Sequence, residues 1–118
     1  MGTFQQTMEV GPLAEDRFER LDALVDTGET YSWVPSDVLE RLGIEPDDNW
    51  PFVLADGTEK YYRTAWVKIR LDGKTQFSIC IFGEPGTQPL LGSFTLEAFR
   101  LGVDAVNKRL IPTPGLLL

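Results

Sequence analysis

Histidine is absent from the 118 residues, and cysteine occurs once, at Cys80. Those two counts remove the Ser-His-Asp triad, the Cys-His pair, the Cys/His zinc site and any disulfide within the chain. Cys80 sits inside the apolar run FSICIF and reads as a small buried residue, not a reactive thiol. Positive charge is also scarce: eleven Lys plus Arg stand against eighteen Asp plus Glu, a net charge of -7. Nucleic acid and anionic lipid are bound mainly through clustered Lys and Arg, so neither is an expected partner. No apolar run approaches the length of a membrane span. The opening MGTFQQTMEV lacks the basic n-region and apolar core of a secretory signal. Gln6 stands where a myristoylation pattern starting at Gly2 wants Ser or Thr. The expected compartment is the cytoplasm, and what remains for chemistry is carboxylates.

Turning to what is present, apolar residues make up 42% and charged residues 25%, the balance of a chain that folds. The length suits one domain over residues 1–118 and is too short for two ordinary lobes. Alternation and β-branched or aromatic enrichment predict strands near Thr3–Val10, Glu19–Val25, Tyr31–Val34, Phe52–Ala55, Tyr61–Leu71 and Thr75–Phe82. Asp72-Gly73 in LDGK signals a tight hairpin, because both central residues of a type I′ turn need positive φ. ADGT at Ala55–Thr58 reads the same way. Two short helices are expected, PSDVLERLG with Ser36 as cap and Gly43 as stop, and TLEAFRLG with Thr95 and Gly102 in those roles.

The two helices end alike, in Arg41-Leu42-Gly43-Ile44-Glu45 and Arg100-Leu101-Gly102-Val103-Asp104. Each follows an apolar approach to a glycine, LVDTG in the first half and PLLG in the second. This suggests two related half-units of strand, glycine loop, strand and helix. GEPGTQP reads as a loop. The tail RLIPTPGLLL has prolines that forbid a helix and apolar residues that a strand added to a partner's sheet would cover. Asp47-Asp48 reads as a solvated loop that is a poor cation site without further ligands. Trp33, Trp50, Trp66, Tyr61 and Tyr62 read as core or flap-packing aromatics.

The constellation that carries chemistry is ALVDTGET, residues 23–30. Leu24-Val25 enters as a strand and delivers Asp26, expected to be buried, at the start of a turn. Thr27 offers a hydroxyl, and Gly28 lets the backbone approach a partner with no side chain between. One such carboxylate does little. Two held within a few Å cannot both ionise cheaply and share a proton. The ionised member then takes a proton from water while the protonated one polarises a carbonyl. The chain supplies one such aspartate, so a dyad needs two copies, and a two-fold axis places identical residues opposite each other. An ordinary Asp-Gly turn is the plainer alternative.

With those residues in order, the sequence resembles the retropepsin-like aspartic proteases, the single-lobe relatives of pepsin, in particular their small bacterial and archaeal members. The likeness runs from about Thr3 to Pro112. ALVDTG resembles the catalytic loop and VLADGTEKYY the flap hairpin. PLLG, with Leu90, Leu91 and Gly92, resembles the segment threading behind the catalytic loop, and LEAFRLGVDAVNKRLIP the closing helix and strand. The resemblance implies a mainly β fold, a closed acid-protease β-barrel with one or two short helices. It also implies an obligate homodimer that hydrolyses a peptide or protein substrate without cofactor or metal. Asp26, Thr27 and Gly28 would then be catalytic. Thr27 would bond across the two-fold axis, Gly28 would hold substrate backbone, and Ala55, Asp56, Gly57 and Thr58 would form the flap tip. Glu29 departs from the small residue usual after the glycine. Either it lies near the dyad, disfavours ionisation there and moves the activity optimum to less acidic pH than in Glu29→Ala, or it faces solvent or pairs with an Arg such as Arg63. Two other readings stay open. One is an inactive dimer serving as a peptide-binding or assembly module; the other is a monomeric accessory domain.

Overall fold

The computed structural model describes residues 3–115 and residue 117. Strands form where β-branched and aromatic residues alternate with polar ones, since successive side chains point to opposite faces of a sheet. They are β1 (Phe4–Gly11), β2 (Glu19–Val25), β3 (Ser32–Pro35), β4 (Asp48–Val53), β5 (Glu59–Leu71), β6 (Lys74–Gly83), β7 (Leu90–Leu91), β8 (Leu101–Asp104) and β9 (Arg109–Pro112). Helix α1 (Ser36–Arg41) follows β3, and α2 (Ser93–Ala98) follows β7. The period of two turns Ala65, Val67, Ile69 and Leu71 of β5 inward, and Ser78, Cys80 and Phe82 of β6. These pack with Met8, Val10, Val25, Val34, Leu39, Leu91 and other apolar side chains into one core. Cys80 is fully buried, as expected, and burial pushes its thiol up to about 12.

Pairing runs β1-β2-β7-β3-β6-β5 and returns to β1, closing six strands into a barrel, while β4 hangs from β5 outside it. The mainly β, closed-barrel expectation therefore holds. At the seam between β1 and β5, Glu9 stands opposite Arg70 and Val10 opposite Ile69. The Arg70 guanidinium donates to both carboxylate oxygens of Glu9, at 2.9 and 2.8 Å, and lies 3.9 Å from the centre of the Phe18 ring. Hydrogen bonding from Arg70 holds Glu9 below the usual carboxylate range, and opposite charges directly across an antiparallel pair favour that register. On the other side of the barrel β7 runs parallel to β2, β3 runs parallel to β6, and β3 meets β7 antiparallel at Trp33 and Leu90.

Several local expectations are corrected. Asp72 and Gly73 both have positive φ, 49° and 81°, as LDGK requires, but in ADGT only Gly57 does, at 86°. That turn closes from the Gly57 amide to the Leu54 carbonyl, while the Asp56 carboxylate accepts the Thr58 amide and hydroxyl at 3.0 and 2.7 Å. The aspartate thus makes its own local turn and needs no left-handed backbone. Ser36 is the first residue inside α1, after Pro35 at the cap position; Thr95 lies inside α2, after Gly92. Gly43 does leave α1 with positive φ, but α2 exits through Arg100 at φ 56° and Gly102 lies in β8. The similar pentapeptides therefore diverge, because after Arg100 the chain enters a hairpin with β9.

That hairpin also revises the tail. Arg109–Pro112 pairs with β8 of its own chain, and the partly buried Leu110 packs on the core. Asp104 accepts the backbone and side-chain amides of Asn107 at 3.2 and 2.8 Å, which holds the connecting turn. Gly2 and the tail residues Leu116 and Leu118 lie outside the described residues. β4 begins four residues earlier than predicted, at Asp48 instead of Phe52. Pro51 is tolerated there because β4 pairs only with β5 and an edge strand has a face that needs no amide. Asp47 is not merely solvated, since its Oδ2 accepts the Trp66 amide at 2.8 Å. Among the described residues no helix is long and apolar enough to cross a membrane.

Candidate active site

Asp26 is the first residue beyond β2. Ala23 and Val25 turn into the core, and the strand ends where the barrel rim begins. Asp26 is consequently half-buried within a single chain, which corrects the expectation of a buried carboxylate. Both its side chain and its backbone carbonyl accept amides of the turn. The Gly28 amide donates to Oδ1 at 3.0 Å, and the Glu29 amide donates to the Asp26 carbonyl at 3.1 Å. Thr27 and Gly28 are exposed beside it.

The loop is fixed from behind by β7 and the start of α2. The Leu24 amide donates to the Pro89 carbonyl at 2.8 Å and the Asp26 amide to the Leu91 carbonyl at 3.0 Å. Beyond the loop, the Ser93 amide donates to the Glu29 carbonyl at 2.8 Å, and the Phe94 amide to the Thr30 carbonyl at 2.9 Å. Such close threading explains the glycine between them. A Cβ on Gly92 would lie 2.7 Å from the Tyr31 carbonyl group and 2.8 Å from the Thr30 oxygen. Leu90, Leu91 and Gly92 thus lie behind the loop.

Sequence reasoning missed the support beneath. The Thr95 hydroxyl lies 2.6 Å from Ser32 Oγ and 2.8 Å from Ser78 Oγ, and Ser32 Oγ accepts the Gly92 amide at 3.1 Å. All three hydroxyls are fully buried, so each needs these partners. Their signal was present, since Ser32 and Ser78 occupy inward positions of strands whose other inward residues are apolar. A second feature missed is Trp33, whose indole nitrogen is buried without a hydrogen-bond partner among the described residues.

A groove of about 360 Å³ separates the loop from the β4–β5 hairpin. Gly28, Glu29 and Thr30 line it on one side, Val53, Leu54 and Ala55 on the other, with Trp33 and Tyr62 among the flanking rings. Trp33 and Tyr62 meet edge to face with centroids 4.9 Å apart. Of the hairpin residues predicted to form a tip, Ala55 lines the groove. Asp56, Gly57 and Thr58 stand beyond it, exposed. The Thr58 hydroxyl, and then its amide, hold the Asp56 carboxyl below the usual range. Glu29 lies in the groove lining. Arg63 stacks on the Phe82 ring, 4.9 Å from its centre, and makes no ion pair with Glu29. Trp50, Trp66 and Tyr61 are exposed, contrary to their reading as packing aromatics. Among the described residues no group of three or more His, Cys, Asp or Glu side chains is placed to hold a metal ion.

A sequence profile of the aspartyl protease family matches residues 14–94, which include the loop, the hairpin and the Leu-Leu-Gly segment. Solved structures share the fold. The protease of simian foamy virus (mac) has TM-score 0.55 and 21% identity, over 78% of this chain and 92% of its own. A retropepsin-like aspartic protease from Rickettsia conorii has TM-score 0.54 and 17% identity, over 87% and 88%. The retroviral protease-like domain of Ddi1 from Leishmania major has TM-score 0.58 and 14% identity, over 92% and 87%. No curated protein matches by sequence.

Proposed function

The chain belongs to the aspartyl protease family and has the retropepsin-like fold, and from that premise we propose that it is an aspartic endopeptidase acting as a homodimer. The observation that carries the proposal is the Asp26 carboxylate. It is held by the Gly28 amide at a barrel rim, beside a groove with a hairpin over it, and this loop occurs once per chain. A two-fold dimer brings two such loops together. The half-burial of Asp26 in one chain agrees with a surface that a second copy completes.

In the reaction, a peptide lies in the groove and a water sits between the two Asp26 side chains. The ionised carboxylate accepts a proton from the water as its oxygen bonds to the scissile carbonyl carbon, and the protonated partner donates to the carbonyl oxygen. Collapse of the tetrahedral species breaks the carbon–nitrogen bond, with a proton delivered to the leaving amine. Thr27 bonds across the axis, Gly28 holds substrate backbone, and Ala55 to Thr58 cover it. Residues 1–118 act as one lobe, and the cytoplasm is the compartment we assign.

The test is cleavage of a diverse unstructured peptide mixture at several pH values from about 4 to 8, by wild type and Asp26→Asn. The expected outcome is cleavage by wild type alone, with equal melting temperatures. If both are inert and still dimeric, turnover is lost and the groove is a binding site. Glu29 in the groove lining is the observation that favours that second reading.

A further inference from the structure

A second groove, of about 450 Å³ and here called the outer groove, runs along β4. Its walls carry four aromatic rings, Tyr31, Trp50, Phe52 and Trp66, and two carboxylates, Asp47 and Asp48, with no Lys or Arg. Trp50 is 56% exposed and Trp66 45%, more than indoles that serve only to pack a core. Each carboxylate uses one oxygen on a backbone amide, Asp47 for Trp66 and Asp48 for Asn49, both at 2.8 Å. No hydrogen bond or ion pair reaches the other oxygen of either among the described residues. Tyr31, Phe52 and Val53 also line the groove beside the Asp26 loop, so the two grooves adjoin.

We propose that this outer groove is a subsite for a cationic side chain, Arg or Lys, carried by an extended peptide that runs on from the Asp26 loop. Its link to turnover rests on the endopeptidase reading; its binding preference does not. Aromatic faces attract a cation through their negative quadrupole, and the long methylene stem of Arg or Lys covers the rings while its head reaches the carboxylates. An aliphatic side chain would cover the rings but desolvate two carboxylates with nothing in return, and an acidic one would be repelled. β4 pairs only with β5, so its free edge offers carbonyls to an extended backbone as in strand addition, while Pro51 has no amide and the Asn49 amide is spent on Asp48. The chain's net charge of -7 favours the same ligand.

The probe is a set of short fluorescent peptides of one Ala/Val-rich host sequence, with Arg, Lys, norleucine or Glu stepped through the positions. Binding is measured to intact Asp26→Asn protein, which holds peptide without cutting it. Arg and Lys are expected to bind about five-fold tighter than norleucine at one position, with Glu weakest there. The preference should vanish in Asp48→Asn and in Trp50→Ala, while norleucine peptides keep their affinity in Asp48→Asn. Equal binding of all four residues, or tightest binding by norleucine or Glu, overturns the proposal. So does tryptophan emission that follows protein concentration and ignores peptide, which would assign the face to a second copy. Wild type is run on the same peptides. If it cuts none of those that Asp26→Asn binds with the cationic preference, the endopeptidase reading fails and the subsite stands.

Discussion

Thr95 joins three parts of the molecule through one oxygen. It bonds Ser32 on β3 and Ser78 on β6 from within α2, and through Ser32 it reaches the amide of Gly92. Thr95→Val keeps the shape and removes the oxygen, taking the partner from the buried Ser78 hydroxyl and leaving Ser32 with the Gly92 amide alone, at a cost of about 1–3 kcal/mol. Denaturant unfolding should show that loss, and Thr95→Ser should restore most of it; equal stability of wild type and Thr95→Val would show that the network is not needed. The same scale explains why Asp26 is less buried than its apolar neighbours suggested. Leu24 and Val25 precede it, yet in a strand only every second residue faces the core, and Val25 is the last to do so. The residue we propose as reactive stands out in ALVDTG. Its exposure was not, because that depends on where the barrel ends.

At the scale of elements, the barrel's closing seam carries a pH dependence whose sign is fixed. Glu9 titrates below the usual carboxylate range because Arg70 bonds its ionised form. Its contribution is therefore complete above that usual range and is lost as pH falls through the depressed folded value. Melting temperature should drop more steeply on acidification in wild type than in Glu9→Gln, and parallel curves would remove the seam from the account. At the opposite seam, Gly92→Ala drives a Cβ against the backbone of Thr30 and Tyr31. Overpacking of that kind costs about 1–3 kcal/mol, and it should cut activity further by moving the Asp26 loop; unfolding and cleavage assays on the one variant separate the two effects.

Elements were read best where the physics is local. β2, β5, β6 and the Asp72-Gly73 turn follow from alternation and from the need for positive φ. What failed depends on contacts and pairings that alternation does not signal. Thr95 resembled a cap until Ser32 and Ser78 claimed its hydroxyl, and Gly102 resembled a helix stop until β9 claimed its strand. The tail read as a partner's strand because the turn at Asp104–Asn107, which folds it back on β8, went unrecognised.

For the whole molecule, the governing point is arithmetic: one Asp-Thr-Gly loop per chain and a proposed mechanism that needs two carboxylates. Like charge opposes the required association, since each copy carries -7, although at physiological salt the repulsion is screened beyond roughly 8 Å. The most direct measurement mixes wild type with Asp26→Asn, unfolds and refolds the two together in equal amounts, and compares cleavage with the same wild-type mass refolded alone. If each site takes one Asp26 from each copy, random pairing leaves about half of the wild-type chains in fully active dimers. Activity should then fall to roughly half of that control, and toward zero with excess variant, as the shared two-fold site requires. Activity that stays proportional to the wild-type chain, however much Asp26→Asn is added, would contradict the account by showing that one chain works alone.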